Sequence, residues 1–517
     1  MMTAFTPPLA GPIPAPKTAY LFIRGLALVY AAAFVSLWPQ IPGLIGEQGI
    51  LPAAEFFKYL ASVTGENRYW LLPTAAWLRA DTVFLQGLCG AGIIFSLALF
   101  AGMLPRVMLF LVWASYLSLM HAGQVFLSFQ WDSLLLETGF LALWAAPLKL
   151  WDKPRVSYEP DPWVVFLFRW LFFRFMIGSA AVKLLSGDAA WQNLTALTYH
   201  YWTTPLPAWT GWYLNALPLG FHKASAFVMF VIELGLPWLI WTGRRGRLIC
   251  FVGQIIFQIL LIATGNFAFF NYLTMVLALW LLDDAFLGGS STAPGPQMNP
   301  DRPAAAAALQ IIMRSVSRGA LALLFLLSVV VFSETLRVRL AWFKPLKSVM
   351  SAVSPFCLTN RYGLFAVMTQ ERHEIILEGS LDGQDWRPYE FRWKPGDPMK
   401  RPEFVAPHQP RLDWQMWFAA LGSVRQNSWV LGLMRQILFE SKPVLDLLGH
   451  NPFPGKAPRY VRARVYDYRF TDPATKRATG AWWQRTWIGE YAPVMARMGT
   501  TVYLLKKQDG ITTGPGG

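Results

Sequence analysis

Apolar residues dominate nine stretches of about 17 to 25 residues, the length an α-helix needs to cross a hydrocarbon core of about 30 Å. The runs cover residues 18–38, 83–103, 106–122, 131–148, 163–185, 224–241, 248–264, 267–282 and 319–336. They predict a polytopic α-helical membrane bundle of about nine spans: residues 1–287 hold the first eight and residues 319–340 the last. Between these parts, residues 288–318 turn to Gly, Ser, Pro and Ala, the composition of a flexible cytoplasmic linker.

From about residue 355 the period changes. Residues 361–369, 373–381, 386–393, 459–470, 482–491 and 501–506 are rich in aromatic and β-branched side chains and read as strands. The pair Asp382-Gly383 carries the signal of a tight hairpin. Residues 411–421 and 428–440 have helical spacing instead. The expectation is a C-terminal extracytoplasmic β-sandwich-like domain at 355–507 with a helical insert, ending in a disordered tail at 508–517.

Loop charges give the bundle an orientation, because cytoplasmic loops are enriched in Lys and Arg. With Lys17 inside, the inside connections carry Arg106, then Lys149, Lys153 and Arg155, then Arg244, Arg245 and Arg247, then Arg302, Arg314 and Arg318. The intervening loops at 123–130 and 265–266 carry no Lys or Arg, and 39–82 mixes Lys58, Arg68 and Arg79 with Glu47, Glu55, Glu66 and Asp81. An odd number of spans places everything after residue 336 outside the cytoplasm. Arg337, Arg339, Lys344 and Lys347 follow the last span and pull mildly the other way.

Composition narrows the function more than the fold. Charged residues make up 15 % of the chain and the mean hydropathy is +0.35, so lipid is the solvent for much of it; soluble proteins run at about 25 % charged. The net charge of +15 would suggest nucleic acid in a soluble protein. Here the basic residues flank apolar segments as topology signals, which argues against a nucleic-acid partner. The three cysteines, Cys89, Cys250 and Cys357, form neither a disulfide framework nor a CxxC pattern. His121, His200, His222, His373, His408 and His450 have no metal-ligand spacing. Hydrolase, nucleotide-binding and kinase motifs are absent, so no catalytic residue, metal or cofactor is expected.

Ionisable residues within the spans stand out, since each costs a few kcal/mol to insert unless partnered. Asp132 and Glu137 open the fourth span, Arg169, Arg174 and Lys183 lie on the fifth, and Glu233 lies within the sixth. Either they surround a polar cavity that holds a lipid, an ion or a client segment, or they are structural ion pairs between helices. The segment 188–221 concentrates Trp191, Tyr199, His200, Tyr201, Trp202, Trp209, Trp212 and Tyr213 with very little charge. It reads as an aromatic belt at the membrane interface or as a docking surface for a partner.

Six stretches carry a family resemblance along essentially the whole chain. They are Gln130-Trp131-Asp132-Ser133-Leu134-Leu135-Leu136-Glu137, Trp191 to Leu197 with Tyr199 to Pro205, and Asn360-Arg361-Tyr362-Gly363-Leu364-Phe365. Glu378-Gly379-Ser380 through Trp386, Pro407-His408-Gln409-Pro410-Arg411-Leu412-Asp413-Trp414-Gln415-Met416-Trp417, and Asn451-Pro452-Phe453-Pro454 complete the set. With these the chain resembles the lipase maturation factor family. The resemblance implies a polytopic, non-enzymatic protein, resident in the endoplasmic reticulum of animals, that assists folding and assembly of secreted lipases. A bacterial host would place it in the inner membrane.

A weaker similarity, from Gly178 to Pro205, is to the membrane bundle of vitamin K-dependent gamma-carboxylases. The sequence has Val182-Lys183-Leu184 followed by Asp188-Ala189-Ala190-Trp191, one lysine where that family has two adjacent, which argues against carboxylase chemistry.

The leading expectation is a membrane-anchored maturation factor whose partners are the bilayer and an immature secreted lipase or related client. Client contact would use Trp386, Trp414, Trp417, Trp482 and Trp483 with Arg411 and Asp413, unless these tryptophans form the core of the β domain. The alternative is an enzyme acting on a lipid or quinone, with Lys183, Asp132 and Glu137 around one intramembrane cavity.

Overall fold

The computed structural model describes residues 16–152, 159–287, 304–338 and 345–505. Its first part is a bundle of helices α1 (Pro16–Leu37), α2 (Thr82–Ala101), α3 (Pro105–Ala122), α4 (Gln130–Ala145), α5 (Pro162–Leu185), α6 (Leu219–Phe230), α7 (Arg244–Thr264), α8 (Phe270–Ala278) and α9 (Ala304–Thr335). Local chemistry sets several ends. Asp81 caps α2 by accepting from the Phe84 N–H at 3.0 Å, and α2 stops where Gly102 takes φ of +95°. Asp161 caps α5 through the Trp163 N–H, and Pro162 begins the first turn.

The faces of the helices report their surroundings. On α1, Phe22, Leu26 and Tyr30 are fully buried while Leu21, Leu28 and Val35, seven residues apart, are exposed as an apolar stripe suited to lipid. Helix α7 exposes Ile249, Val252, Ile256 and Ile259 in the same way. Helix α5 is enclosed by its neighbours, with 94 % of its most apolar stretch buried.

Among the described residues, six helices are long and apolar enough to cross a membrane: Pro16–Leu44, Thr82–Ala101, Pro162–Leu185, Leu219–Trp241, Arg244–Thr264 and Ile311–Thr335. The expected count of nine is not reached on that measure. The other three runs form α3, which carries Arg106, Trp113, Tyr116 and His121, the 16-residue α4, and the 9-residue α8. At about 1.5 Å per residue α4 reaches only about 24 Å. These helices are held as much by packing inside the bundle as by length.

The expected linker also differs. Helix α9 begins at Ala304, so residues 304–318 continue the last helix instead of lying in a flexible segment. The Ala run 304–308 explains this, since alanine is the strongest helix former. The rest of that linker, 288–303 with Arg302, lies outside the described residues, as do Lys153, Arg155, Arg339, Lys344 and the tail at 508–517.

The second part is one antiparallel sheet of strands β1 (His373–Ser380), β2 (Arg387–Phe391), β3 (Leu448–His450), β4 (Tyr460–Phe470), β5 (Trp483–Met498) and β6 (Thr501–Leu505), in the order β3-β2-β1-β4-β5-β6. Ile375 pairs with Val465 and Leu377 with Ala463, which puts Ile375, Leu377, Val461 and Ala463 on one face. Helices α10 (Arg411–Ala420) and α11 (Trp429–Leu438) cover that face. A second sheet, as a sandwich requires, is not seen among the described residues. The opposite face, with Ile376, Tyr468, Phe470 and Trp483, packs on Trp202 and Trp212 of the bundle. That burial does the work of a second sheet.

Two local expectations change. Residues 361–369 do not form a strand; the segment runs irregularly along the bundle. The Asp382-Gly383 turn is a longer loop, in which Asp382 Oδ1 accepts from the Gln384 and Asp385 N–H groups and Gly383 adopts φ of +82°.

Candidate functional site

The strongest feature is the seam where the C-terminal domain enters the bundle. Pro410 leads into α10, and Arg411 in its first turn points down between α3 and α4. Its Nη1 and Nη2 each donate to an oxygen of Asp132 at 2.9 Å, a bidentate fork, and Nη1 also donates to the Phe126 carbonyl at 2.8 Å. Tyr116 donates to the same carboxylate. Burial alone would lower the Arg411 pKa; the Asp132 carboxylate outweighs it and raises the pKa, keeping the guanidinium charged.

The preceding residues are fastened to α1, to the turn Trp38–Gln40 that follows it, and to α4. Gln40 accepts from the Arg411 N–H at 2.8 Å and donates to the Gln409 carbonyl at 2.8 Å. Ser36 Oγ accepts from the Gln409 N–H at 2.8 Å and sits 3.0 Å from His408 Nδ1. Trp131 Nε1 donates to the Gln409 side chain at 2.8 Å. Most polar groups of this loop thus find a partner in the bundle, as burial demands, with Gln409 Nε2 and Arg411 Nε the exceptions.

A second lock lies one turn along α4. Glu137 pairs with Arg174 of α5, and it accepts from Tyr362 Oη at 2.6 Å and from the Asn360 N–H at 3.0 Å. Arg174 Nη1 donates to the Asn360 carbonyl at 2.8 Å. Gln130 exchanges two hydrogen bonds with the Gly363 backbone. There the chain approaches α5 so closely that a Cβ on Gly363 would lie 2.6 Å from both methyls of Val182.

A third lock holds the aromatic segment. Arg372, just before β1, donates to the carbonyls of Trp202 and Pro205 at 2.9 Å each and to that of Thr204. Glu374 bridges Arg372 at 2.6 Å and Lys394 at 2.7 Å, all three side chains being inaccessible. Trp417 Nε1 donates to the Thr203 carbonyl and Trp191 Nε1 to the Phe365 carbonyl, each at 2.9 Å. Much of this segment is therefore roofed by the chain's own C-terminal domain: Trp191, Tyr201, Trp202 and Trp212 are buried, and Tyr213 is exposed.

The ionisable residues of the spans do not share one cavity. Asp132 pairs with Arg411, Glu137 with Arg174, and Lys183 with Glu233 at 2.7 Å, while Arg169 donates to the Trp280 carbonyl at 3.0 Å. An enzyme built on Lys183, Asp132 and Glu137 around a common space is corrected by this arrangement. Both carboxylates already hold an arginine, and Lys183 faces a different pocket. Among the described residues no group of three or more His, Cys, Asp or Glu could hold a metal ion.

The residues expected to meet a client are also placed differently. Arg411, Asp413, Trp414, Trp417 and Trp483 are buried in the chain's own contacts. Asp413 accepts from the Trp393 and Lys394 N–H groups at 2.9 Å, and burial raises its pKa against the pull of those N–H groups. Trp414 packs edge-on against Trp131. Trp386 and Trp482 are half-buried, under Arg462 and Lys476 respectively. Large apolar groups that do remain exposed in the domain include Trp487 and Ile488 on β5 and Tyr503, Leu504 and Leu505 on β6.

Sequence reasoning missed Gln40, Ser36, Tyr362 and Arg372. The sequence signal is one-sided: Asp132, within an apolar span, demands an opposite charge without naming it.

The family model described as "Lipase maturation factor transmembrane domain" matches residues 17–289, and "Lipase maturation factor C-terminal domain" matches 358–493. Lipase maturation factor 1 of Homo sapiens is 36 % identical over 532 residues, covering 95 % of this chain and 92 % of the relative. Lipase maturation factor 1 of Bos taurus is 35 % identical, covering 95 % and 91 %, and Lipase maturation factor 2 of Homo sapiens is 35 % identical, covering 95 % and 84 %. No solved structure matches. The two family models meet the two halves of the seam, and the chain belongs to the lipase maturation factor family.

Proposed function

We propose that the chain is an integral-membrane maturation factor for secreted lipases, not an enzyme, and that bundle and C-terminal domain act as one rigid unit. The observation that carries this reading is the triple lock of Asp132–Arg411, Glu137 with Asn360 and Tyr362, and Arg372 on the Trp202–Pro205 carbonyls. Three buried polar anchors leave the domain no freedom to swing, so it can hold a client against a fixed surface.

The orientation of the unit is part of the proposal. The domain sits on the loops around Phe126, Trp202 and Asn266, where 123–130 and 265–266 carry no Lys or Arg. That supports a cytoplasmic N-terminus and a domain on the lumenal or periplasmic side, where secreted lipases fold. The membrane is that of the endoplasmic reticulum in a eukaryotic host and the inner membrane in a bacterial one.

For the client surface we propose the outer edge of the sheet. Among the described residues β6 is the outermost strand, with Tyr503, Leu504 and Leu505 exposed, and Trp487 and Ile488 lie on its neighbour β5, before the Val494–Met498 stretch that β6 pairs with. An exposed edge offers backbone pairing and apolar contact to an extended segment of an unfolded lipase. The test is the double variant Trp487→Asp with Tyr503→Asp, co-expressed with a secreted lipase. It should fold normally yet lower active lipase severalfold, and a full lipase yield from the folded variant contradicts this surface.

A further inference from the structure

The three locks leave one large space unexplained. A cavity of about 420 Å³ lies between α5, α6 and its continuation, α7, and the short helix Leu197–Thr203. Such a volume falls within the range of small-molecule sites, about 300–1,000 Å³. Its walls are mostly apolar, and Phe221, Val228 and Leu260 at its rim are exposed, so it opens sideways toward the lipid zone between α6 and α7.

Its polar groups gather on the inner wall. Lys183 Nζ donates to both oxygens of Glu233, at 2.9 and 2.7 Å. Glu233 is presented from a π-helical turn, Val231–Gly235, a rare conformation concentrated at functional sites. This pair is neutral overall. Asn271, which also lines the cavity, is 1 % exposed and donates to Gln258 Oε1 at 2.8 Å, but Asn271 Oδ1 accepts nothing. His200 Nδ1 is likewise buried without a protein partner. Two orphaned polar atoms in one apolar cavity are expensive unless a ligand satisfies them.

We infer that this cavity binds an uncharged, single-chain lipid carrying hydroxyl groups, of the monoacylglycerol type. The aliphatic chain fills the apolar volume. A hydroxyl both donates and accepts, so the hydroxyls of such a headgroup suit the orphaned acceptor Asn271 Oδ1 and the His200 ring nitrogen. With Lys183 held by both Glu233 oxygens, no Lys or Arg among the lining residues is left to pair with a phosphate drawn into this apolar space, which disfavours a phospholipid headgroup. The site needs no catalytic group and holds whichever client the chain assists.

The test uses the full chain in phospholipid nanodiscs with a photoactivatable 1-oleoylglycerol probe. Labelled peptides should map to α5, α6 or α7 around the cavity, and unlabelled 1-oleoylglycerol should compete while added phosphatidylcholine does not. Ser225→Trp, which fills the space from α6, should cut labelling about tenfold, and Asn271→Leu, which removes the orphaned acceptor, should cut it severalfold. Labelling that maps elsewhere, or equal competition by phosphatidylcholine, overturns the inference, the latter showing that bilayer chains merely fill the space. Unchanged labelling in Asn271→Leu overturns the headgroup assignment, and because the mapping is done on the unaltered chain, a poorly folded Ser225→Trp does not blunt the test.

Discussion

Arg411 and Asp132, 279 residues apart in the chain, meet as a bidentate pair at 2.9 Å with neither side chain more than 1 % accessible. One comes from the soluble domain and the other from the membrane bundle. A buried pair of this kind specifies which surfaces meet, because removing either charge strands the other where water cannot reach it.

Arg411→Met should therefore destabilise the chain by about 3–5 kcal/mol. The double variant with Asp132→Leu should lose less than Arg411→Met alone, since no charge is then left unpaired. Thermal unfolding in mild detergent reads both. Equal losses for single and double variants would show that packing, and not the pair, holds the seam.

At the second lock, Tyr362→Phe removes one hydrogen bond to Glu137, and a bond to a charged group is worth about 1.5–3 kcal/mol. By contrast, Arg387→Ala breaks a pair with Asp385 in which both side chains are more than half exposed, and it should leave unfolding unchanged. A similar effect of the two changes would argue against the burial ranking.

Gly363→Ala places a methyl 2.6 Å from both Val182 γ-carbons. Overpacking of this kind costs about 1–3 kcal/mol. Adding Val182→Ala should recover most of the loss, and failure to recover would mean that Gly363 is needed for another reason.

The seam should also be sensitive to acid through His408. Burial first, then Arg411 and Arg392, hold its pKa below the ordinary value. The folded state thus keeps the ring neutral while the unfolded ring takes up a proton below about pH 6.5. Stability contributed by this residue is full above that pH and falls as pH drops through it toward the lower folded value. Melting of the unaltered chain and of His408→Gln from pH 8 to about pH 5 isolates the effect, and parallel curves would refute it.

Local pattern was legible in the sequence, and long-range partnership was not. Helical spacing at 411–421 and 428–440 anticipates Arg411–Ala420 and Trp429–Leu438 closely, because amphipathic periodicity is a property of neighbouring residues. The strand reading of 361–369 failed because aromatic and β-branched content marks burial as readily as pairing; Tyr362 and Phe365 are spent on the bundle, packing edge-on against Phe175 and His200. The same ambiguity misdirected the client-contact residues. Trp414 and Trp417 are large, apolar and capable of one hydrogen bond, features that suit an internal seam as well as an external interface. The charges at Asp132 and Glu137 announced that partners were needed, but nothing in their surroundings could name Arg411 or Tyr362 as those partners.

Secreted lipase activity is the most direct readout of the account. In cells lacking their own maturation factor, a secreted lipase would be expressed with the unaltered chain, with Arg411→Met, or with neither, and its specific activity compared at equal lipase abundance. The unaltered chain should raise that activity well above the level seen without it, and Arg411→Met should fall back toward that level because the domain is no longer held on the bundle. Lipase activity that is the same with and without the unaltered chain would contradict the proposed function itself.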